Sequence, residues 1–450
     1  MKGKLTRRKF IRNAAITASA TPIISPLISS CSNLSNYANS RLNHAAIGVG
    51  GMGDADLAQI ASHPDVSITA ICDVDRNNLG KASEKYPHAR TYTDWRELLT
   101  KEYRNIQSIN VTTPDHMHAL IAYKAMELGL HVYCQKPLTH TVIEARRLKK
   151  LAIQKKIVTQ MGIQNHTGKN YSTAKVVFDK GDIKDINEVH VWTDRPAGWW
   201  PQGEGRPEGQ DPIPESLDWD KWIGVAPKRP YKNNIYHAFA WRGRLDFGTG
   251  AQGDMACHLM DPAIWFLDLG QPLTIKSTGP TPTKDCFPLW SRVEYEFEGT
   301  KKTSKEGVKV VWHDGGKRPD SLLEKHGFGE NPYTNGSLFV GSNGAYMISP
   351  YEPIQTTLNG VLQETELPEL KTVNHWHQWV DACFGRTKTS APFNYAAHLT
   401  EIALLGNIAL FFKDEKLEWD NKRMGFKNML AANKLLHKPY REGWSFNGLI

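Results

Sequence analysis

The sequence has no long apolar segment beyond residue 30. Hydrophobic residues make up 40% of the 450 residues, which is enough for sizeable cores. The only candidate for a membrane span, residues 14–30, contains Pro22, Pro26 and many small residues. We therefore expect no membrane-spanning helix in the mature protein.

Cysteine is also scarce, and the six cysteines form no Cys-x-x-Cys pair. This spacing excludes a zinc ribbon and a disulfide framework, and we predict no metal site. Cys72, Cys134 and Cys257 lie in apolar runs and are interpreted as small buried residues.

Net charge is low once the N-terminal segment is set aside. Residues 1–30 contain six basic residues and no acid, so they account for six of the eight net positive charges. Residues 31–450 therefore carry a net charge of only +2. No basic surface for DNA or RNA is indicated, and we predict no nucleic-acid partner.

Residues 1–31 have the layout of an export signal. The stretch "LTRRKFIRNAA" places Arg7 and Arg8 ahead of an apolar segment, as in twin-arginine signals for folded export to the periplasm. The signal ends in "LISSC", which resembles a lipobox with Cys31 as the lipidated residue. The alternatives are a basic disordered arm or an uncut membrane anchor. We predict membrane contact only through this signal or a lipid anchor, and a polar linker over residues 32–43.

Residues 44–165 alternate between short apolar runs and helical patterns. Runs such as "VSITAICD", "SINVTT" and "HVYC" are typical of strands, and helical stretches such as "HALIAYKAMELG" separate them. This alternation predicts an α/β domain with a doubly wound parallel sheet.

Residues 166–450 follow a different pattern. Helices are predicted at 169–180, 253–267, 374–384 and 395–412, and a long loop rich in Pro, Gly and Trp covers 195–230. Strand-like runs such as "SRVEYEFEG" and "VKVVWH" lie between them. We predict an α+β domain with a large mixed or antiparallel sheet open on one face, which binds substrate and forms the oligomer.

A glycine-rich loop follows the first predicted strand and opens the first helix. Gly48, Gly50 and Gly53 match the pattern G-x-G-x-x-G, and Gly51 and Met52 lie between them. Such glycines allow a tight turn and a close approach of the backbone to a pyrophosphate, which the helix N-terminus binds.

An acidic residue lies where a dinucleotide fold needs one. Asp73 ends the second predicted strand, at the spacing of about 20 residues from the glycine loop that such folds use. There it would accept hydrogen bonds from the adenosine ribose. This favours NAD over NADP, although Arg76 is near enough to accommodate a 2′-phosphate. The alternative is a glycine-rich turn with a helix-capping aspartate.

Two further loops follow predicted strands of the same sheet, at the edge where ligands bind. One contains Thr113, Pro114 and His118, and the other is Gln135-Lys136-Pro137. Proline favours an extended conformation of the residue before it. Lys136 is thus either held for contact with a substrate hydroxyl or is an ordinary solvated lysine.

Asp254 and His258 are four residues apart on a predicted helix and so share one face. The carboxylate could set the tautomer of the ring and leave the other nitrogen free to accept a proton. Such pairs are common on helices, so the spacing alone favours a surface ion pair or a satisfied core histidine.

In combination these motifs resemble the Gfo/Idh/MocA oxidoreductases. The shared motifs are the glycine loop, Thr113-Pro114-Asp115-x-x-His118, Lys136-Pro137, and the stretches 217–231 and 241–261. The resemblance implies an NAD-dependent oxidoreductase for carbohydrates that forms homo-oligomers. It implies catalytic roles for His258 as acid/base, Asp254 as its orienting partner, and Lys136 as a polar relay or second acid.

Together, motif and resemblance predict two sets of ligand contacts. The predicted cofactor contacts are Gly48, Gly50, Gly51, Met52, Gly53, Asp73, Arg76, Thr113, Pro114, His118, Gln135 and Lys136. The predicted substrate contacts are Gln164, His166, Arg195, Trp241, Arg242 and His258.

Gln135 departs from the family pattern, which has Glu-Lys-Pro at this place. Loss of a carboxylate beside Lys136 should lower the pKa of the lysine. We therefore expect Gln135→Glu to move the alkaline side of a pH–rate profile upward.

Folded export would carry a bound dinucleotide outward, and a trapped cofactor must return to its starting redox state in each turnover. This reasoning leaves three hypotheses. The protein is an oxidoreductase of sugars or glycosides, or a glycosidase that works by oxidation, elimination, hydration and reduction. The third hypothesis is a non-catalytic sugar- or nucleotide-binding lipoprotein.

Overall fold

A computed structural model of the protein describes residues 41–329 and 333–447. The predicted export signal, Cys31 and residues 32–40 of the predicted linker lie outside the described residues. Within the described ranges, no helix combines the length and apolar character that crossing a membrane requires.

The N-terminal part forms a six-stranded parallel sheet with the order β3-β2-β1-β4-β5-β6. Its strands are β1 Leu42–Ile47, β2 Val66–Cys72, β3 Arg90–Tyr92, β4 Ser108–Val111, β5 His131–Cys134 and β6 Thr159–Met161. The helices between them are α1 Met52–Ala61, α2 Arg76–Lys85, α3 Trp95–Glu102, α4 Asp115–Glu127 and α5 Val142–Lys155. This confirms the predicted doubly wound α/β sheet.

The sequence patterns did not reveal two elements of this sheet. Strand β3 has only three residues, and two of them are exposed, so its apolar signal is weak. Helix α3 follows it directly and begins after Asp94, whose side chain accepts the backbone N–H of Arg96. Strand β1 begins at Leu42, inside the predicted linker.

The C-terminal part forms a ten-stranded sheet with the order β14-β13-β12-β11-β7-β10-β9-β8-β15-β16. Only β7 and β10 pair in parallel, so the sheet is mixed and mainly antiparallel, as predicted. Its strands are β7 Glu188–Trp192, β8 Thr274–Thr278, β9 Arg292–Phe297, β10 Val308–His313, β11 Gly336–Val340, β12 Gly344–Ile348, β13 Gln355–Leu358, β14 Val361–Gln363, β15 Lys416–Asp420 and β16 Gly425–Phe426.

The alternation of apolar and charged residues along a strand shows which face of this sheet is packed. In β9, Val293, Tyr295 and Phe297 are buried, whereas the side chains between them are charged and more exposed. Successive residues of a strand point to opposite faces, so the apolar set faces the helices.

The helices of this part are α6 Lys169–Asp179, α7 Trp219–Ile223, α8 Gly250–Leu259, α9 Asp261–Phe266, α10 Asp320–Lys325, α11 His375–Cys383, α12 Phe393–Ala409 and α13 Leu430–Asn433. The helix predicted over 253–267 is two helices, because the chain breaks at Met260 and Pro262 lies in the first turn of the second. Proline lacks an N–H and is tolerated only in a first turn.

Helix α12 brings the catalytic candidates together. It is apolar on nearly all sides and buried, and it packs against both α5 and α8. Its Thr400 hydroxyl accepts the backbone N–H of Leu138 at 3.2 Å, just beyond Lys136. A helix that is hydrophobic all round belongs in a core, and here that core holds α8 at the carboxyl edge of the parallel sheet.

Candidate active site

The glycine loop leaves no room for side chains on its inner side. A Cβ on Gly48, whose φ is +82°, would lie 2.4 Å from the Thr112 carbonyl oxygen. A Cβ on Gly53 would lie 2.1 Å from the Gly48 carbonyl oxygen. On the other side, Gly51 has open space around it and caps α1 without a side-chain hydrogen bond. The open side and the uncapped helix N-terminus fit a dinucleotide pyrophosphate.

Asp73 lies at the end of β2, as predicted, and supports the glycine loop. One carboxylate oxygen accepts the Val49 N–H at 3.0 Å, and the other accepts the Asp75 N–H at 2.9 Å. Burial raises the pKa of Asp73. The side chain of Arg76 is exposed and reaches toward the Glu215 carbonyl oxygen at 3.5 Å.

The long loop of the C-terminal part covers the turn after β2, which the sequence did not indicate. The Ser216 carbonyl accepts the Arg76 N–H at 2.9 Å, and the Asp218 N–H donates to the Val74 carbonyl at 3.0 Å. His237 Nε2 lies 2.9 Å from Asp75 Oδ2. These contacts fasten residues 216–237 beside the predicted adenosine end of the site.

His118 joins the two other strand-end loops. Its Nδ1 lies 2.8 Å from the Pro137 carbonyl oxygen and its Nε2 lies 2.7 Å from the Thr113 carbonyl oxygen. The ring is buried, and burial lowers its pKa to about 4. Because both ring nitrogens face backbone carbonyls, His118 shapes this edge. A direct contact between His118 and a cofactor stays a prediction.

Lys136 and Asp254, from two distant segments, meet at this edge. The Lys136 Nζ lies 2.7 Å from Asp254 Oδ1 and 3.0 Å from the Asp254 carbonyl oxygen. Arg242 Nε is 3.4 Å from the same carboxylate oxygen. Burial raises the pKa of Asp254, but the charges of Lys136 and Arg242 outweigh it and bring the pKa to about 2. The Asp254 carboxylate therefore forms ion pairs with two cations.

His258 lies one turn further along α8 and is neutral. Burial and the positive charge of Lys136 lower its pKa to about 3. Its Nδ1 is buried and has no hydrogen-bond partner within the described ranges. A neutral imidazole with a free nitrogen can accept a proton.

The expected hydrogen bond between Asp254 and His258 is not formed. Asp254 turns to Lys136 and Arg242 instead, and no ion pair within 4.0 Å joins it to the His258 ring among the described residues. The spacing places both residues on one face of α8, but the two nearby cations compete for the carboxylate. Asp254 therefore organises the charge around His258 rather than its tautomer.

The Asp–His pair of this region is formed by His166 and Asp261. His166 Nδ1 lies 2.8 Å from Asp261 Oδ2, and the ring stacks on Trp265 at 4.1 Å between centroids. Tyr395 also donates to Asp261. His166 is thus held rigidly, with 5% of its surface exposed. The sequence offered no signal for this pair because its members are 95 residues apart.

The remaining predicted substrate contacts differ in their surroundings. Arg195 pairs with Asp194, and its guanidinium lies 3.6 Å from the centroid of the exposed Trp199 ring. Its charge contributes to the lowered pKa of His258. Trp241 is buried in an aromatic cluster and donates to the Ala238 carbonyl at 3.1 Å. Gln164 donates to the Tyr133 hydroxyl at 3.4 Å. Trp241 therefore packs, whereas Arg195 lies close to the catalytic candidates.

Gln135 does not face the amine of Lys136, which corrects the reasoning behind the expected pH shift. Its Nε2 donates to both oxygens of Asp56, at 3.1 and 2.9 Å, and its Oε1 accepts only the backbone N–H of Lys136 at 3.2 Å. A glutamate at this position would meet another carboxylate before it reached the lysine amine.

Asp56 is the site residue that the sequence analysis missed. It is fully buried on α1, on the same face as Gly53 and Ile60. A carboxylate on the apolar face of the helix after a glycine loop was the available signal, because an aspartate is rarely fully buried unless it is paired.

A cavity lies away from these residues. It has a volume of about 750 Å³ and lies between α5 and the chain after residue 436, with lining that includes Arg147, Lys150 and Trp444. None of the predicted site residues lines it. This cavity is therefore separate from the candidate site at the carboxyl edge of the parallel sheet.

Two family models match the chain, one in each part of the fold. Residues 42–163 match a family model described as oxidoreductase family, NAD-binding Rossmann fold. Residues 196–321 match the model of that family's C-terminal alpha/beta domain. Together the two matches cover more than half of the chain.

Curated relatives match over shorter stretches. Inositol 2-dehydrogenase of Salmonella typhimurium is 28% identical over 33% of this chain and 45% of its own length. Levoglucosan dehydrogenase of Pseudarthrobacter phenanthrenivorans is 26% identical over 49% of this chain and 50% of its own length. The chain thus matches about half or less of the length of these relatives.

Solved structures agree in fold over most of both chains. A levoglucosan dehydrogenase in complex with NADH and L-sorbose has a TM-score of 0.59 at 17% identity, covering 84% of this chain and 99% of its own. The WlbA dehydrogenase of Bordetella pertussis, in complex with NADH and UDP-GlcNAcA, has a TM-score of 0.59 at 15% identity, covering 84% of this chain and 99% of its own. From its two matched domains, the chain belongs to the Gfo/Idh/MocA family of oxidoreductases.

Proposed function

We propose that the protein is an NAD-dependent oxidoreductase that acts on a ring hydroxyl of a sugar or glycoside. The observation that carries the proposal is the cluster of Lys136, Asp254 and a neutral His258 at the carboxyl edge of the parallel sheet. Inositol and levoglucosan, which name two relatives, are both polyhydroxylated rings.

Each residue has a distinct part in the proposed reaction. His258 takes the hydroxyl proton, because its ring is neutral. Lys136 donates a hydrogen bond to the same oxygen and limits the charge that develops there, while Asp254 holds the amine in place. A nicotinamide held at this edge would supply the acceptor for the hydride of the same carbon. Proton transfer by a positioned base contributes about 10²–10⁴-fold to such a rate.

We infer NAD rather than NADP from the region around Asp73. A carboxylate at the end of β2 accepts ribose hydroxyls and repels a 2′-phosphate. Arg76 points away toward Glu215, and the turn after β2 is covered by residues 216–218.

The test uses the full chain, purified without added cofactor. NADH binding should appear as energy transfer from tryptophan to the dihydronicotinamide. Incubation with inositols, aldoses and glycosides should yield keto products, detected by mass spectrometry, in the wild type and not in His258→Gln. Release of an aglycone without net NADH would favour the glycosidase, and NADH binding with no product from any substrate would favour a binding protein.

We further propose that the protein is exported in its folded state by the twin-arginine route. The support is the basic pair Arg7 and Arg8 ahead of a short apolar segment. Replacement of both arginines by lysine should retain the protein in the cytoplasm of an expressing bacterium. Equal periplasmic yields from both forms would refute this route.

A further inference from the structure

Asp56 is a buried carboxylate that faces only uncharged donors. Its Oδ1 accepts the Trp376 indole N–H at 2.9 Å, its Oδ2 accepts the Thr112 hydroxyl at 2.9 Å, and both oxygens accept the Gln135 amide. No arginine, lysine or histidine within the described ranges forms an ion pair with it.

The titratable groups packed around Asp56 are few. Tyr133 and Cys134 of β5 sense its charge, and burial raises the pKa of both well above their usual range. On α1, α11 and the end of β4, the side chains that reach the carboxylate are uncharged. Burial raises the pKa of Asp56 to about 6, against hydrogen bonds from Gln135, Trp376 and Thr112 that lower it. All of its hydrogen-bond partners donate to it, as they would to an ionised carboxylate, and within the described ranges no countercharge pairs with it.

Asp56 is connected to the catalytic candidates through Gln135. Gln135 connects Asp56 to the backbone N–H of Lys136, whose amine rests on Asp254. Thr112 follows β4 and precedes Thr113, whose hydroxyl is buried without a partner in the described chain. The carboxyl ends of β4 and β5 are thus the part of the sheet nearest to Asp56.

An isolated buried carboxylate is costly, even when neutral donors satisfy its lone pairs. Groups of this kind cluster at functional sites, where a cation binds or a charge changes. The oxidised nicotinamide ring carries one positive charge, and the reduced ring is neutral.

We propose that Asp56 supplies the countercharge for the oxidised nicotinamide and so strengthens the binding of NAD⁺ relative to that of NADH. The inference rests on the proposed function, which brings the nicotinamide to Lys136 and His258. Loss of a merely structural residue would weaken binding of both redox forms equally, whereas loss of this charge changes their ratio. The ratio of the two dissociation constants is therefore the decisive quantity.

The test measures the dissociation constants of NAD⁺ and NADH by titration calorimetry at pH 7.5, on the folded chain freed of cofactor. Asp56→Asn should raise the ratio of the NAD⁺ constant to the NADH constant about tenfold, because it removes a charge that acts on only one of the two redox forms. The variant Asp56→Asn/Gln135→Glu moves the carboxylate to the partner side chain. It should return the ratio to within about threefold of the wild type, since the charge moves by only a few ångströms.

Asp54→Asn is the matched control, because Asp54 lies on the same helix but pairs at the surface with Lys85 at 2.7 Å. It should leave the ratio unchanged. If Asp56→Asn does not fold, Thr112→Val at pH 6.5 provides the test. That variant removes one donor to Asp56, favours its protonated form and should shift the ratio in the same direction.

Three outcomes would overturn the inference. An unchanged ratio in Asp56→Asn, or in Thr112→Val where only that variant folds, would make Asp56 structural. Failure of the carboxylate exchange to restore the ratio would show that the charge does not act locally. A wild type that binds neither dinucleotide would end both this inference and the proposed function. Binding of both forms with a shifted ratio but no sugar product would sustain the inference and refute only the proposed reaction.

Discussion

Removal of the Asp254 carboxylate should destabilise the fold as well as the site. In Asp254→Asn, Lys136 and Arg242 lose the carboxylate that they share at 2.7 and 3.4 Å. Only 12% of the Asp254 side chain and 16% of the Lys136 side chain are exposed, so solvent replaces little of the lost interaction. Removal of one partner from a buried ion pair costs about 3–5 kcal/mol.

The pKa of Asp254 supports a loss of stability at the lower end of this range. A pKa of about 2 in the folded protein, against about 3.9 in an unfolded chain, corresponds to about 2–3 kcal/mol. Because the folded pKa is the lower one, this stabilisation is fully present above pH 4 and is lost as the pH falls toward 2. At pH 7 we expect a loss of about 3 kcal/mol, which lowers the melting temperature of a chain this size by about 3–5 °C.

Circular dichroism melting at pH 7 of the wild type, Asp254→Asn, Lys136→Met and the double variant measures this effect. The double variant should lose less stability than the sum of the losses in the two single variants, by at least about 1 kcal/mol. The reason is that removal of both partners leaves one buried charge fewer. Asp54→Asn, which breaks an exposed pair, should melt close to the wild type. If Asp254→Asn melted like that control, or if the two single effects were additive, the buried ion pair would have no energetic role.

Three further outcomes follow from the site. His258→Gln should abolish sugar oxidation yet keep the NADH dissociation constant within about threefold of the wild type, since its part is the proton transfer; residual turnover within about tenfold of the wild type would remove it as the base. Gly53→Ala should lose NADH binding measured by fluorescence, because its Cβ would lie 2.1 Å from the Gly48 carbonyl oxygen, and normal binding would contradict the close packing of that loop. Gln135→Glu should lower the melting temperature at pH 7 more than at pH 5, because two carboxylates at hydrogen-bond distance repel until one is protonated; an equal loss at both pH values would mean that residue 135 does not sense Asp56.

The parallel sheet was predictable because its signals are local. Strands β1, β2, β4 and β5 are short apolar runs separated by helical segments, and the glycine loop is a contiguous pattern. Strand β3 was missed because pairing with β2, rather than its own apolar content, makes it a strand. Tertiary pairing overrides weak local preference in such short segments.

The break between α8 and α9 had a local signal that the helical periodicity obscured. Pro262 cannot continue a helix that began at Gly250, yet both helices share one apolar pattern. The ten-stranded sheet was predicted as mixed or antiparallel, but its number of strands was not predicted. Its edge strands β14 and β16 contain only three and two residues.

Within the site, the sequence by itself determined which chemical groups are present and which loops carry them. The glycine loop follows from motif and spacing, whereas Lys136, Asp254 and His258 are implied by the resemblance to the family. The helical spacing of Asp254 and His258 also determined that they share a face of α8.

Only the tertiary structure decided how those groups pair. Asp254 binds Lys136 rather than His258, and Gln135 binds Asp56 rather than the lysine amine. The reason is physical: a buried charge takes the best countercharge or donor within reach, and that partner is set by which distant segments the core brings together. Spacing along the chain limits such pairings within one helix and leaves those between segments open.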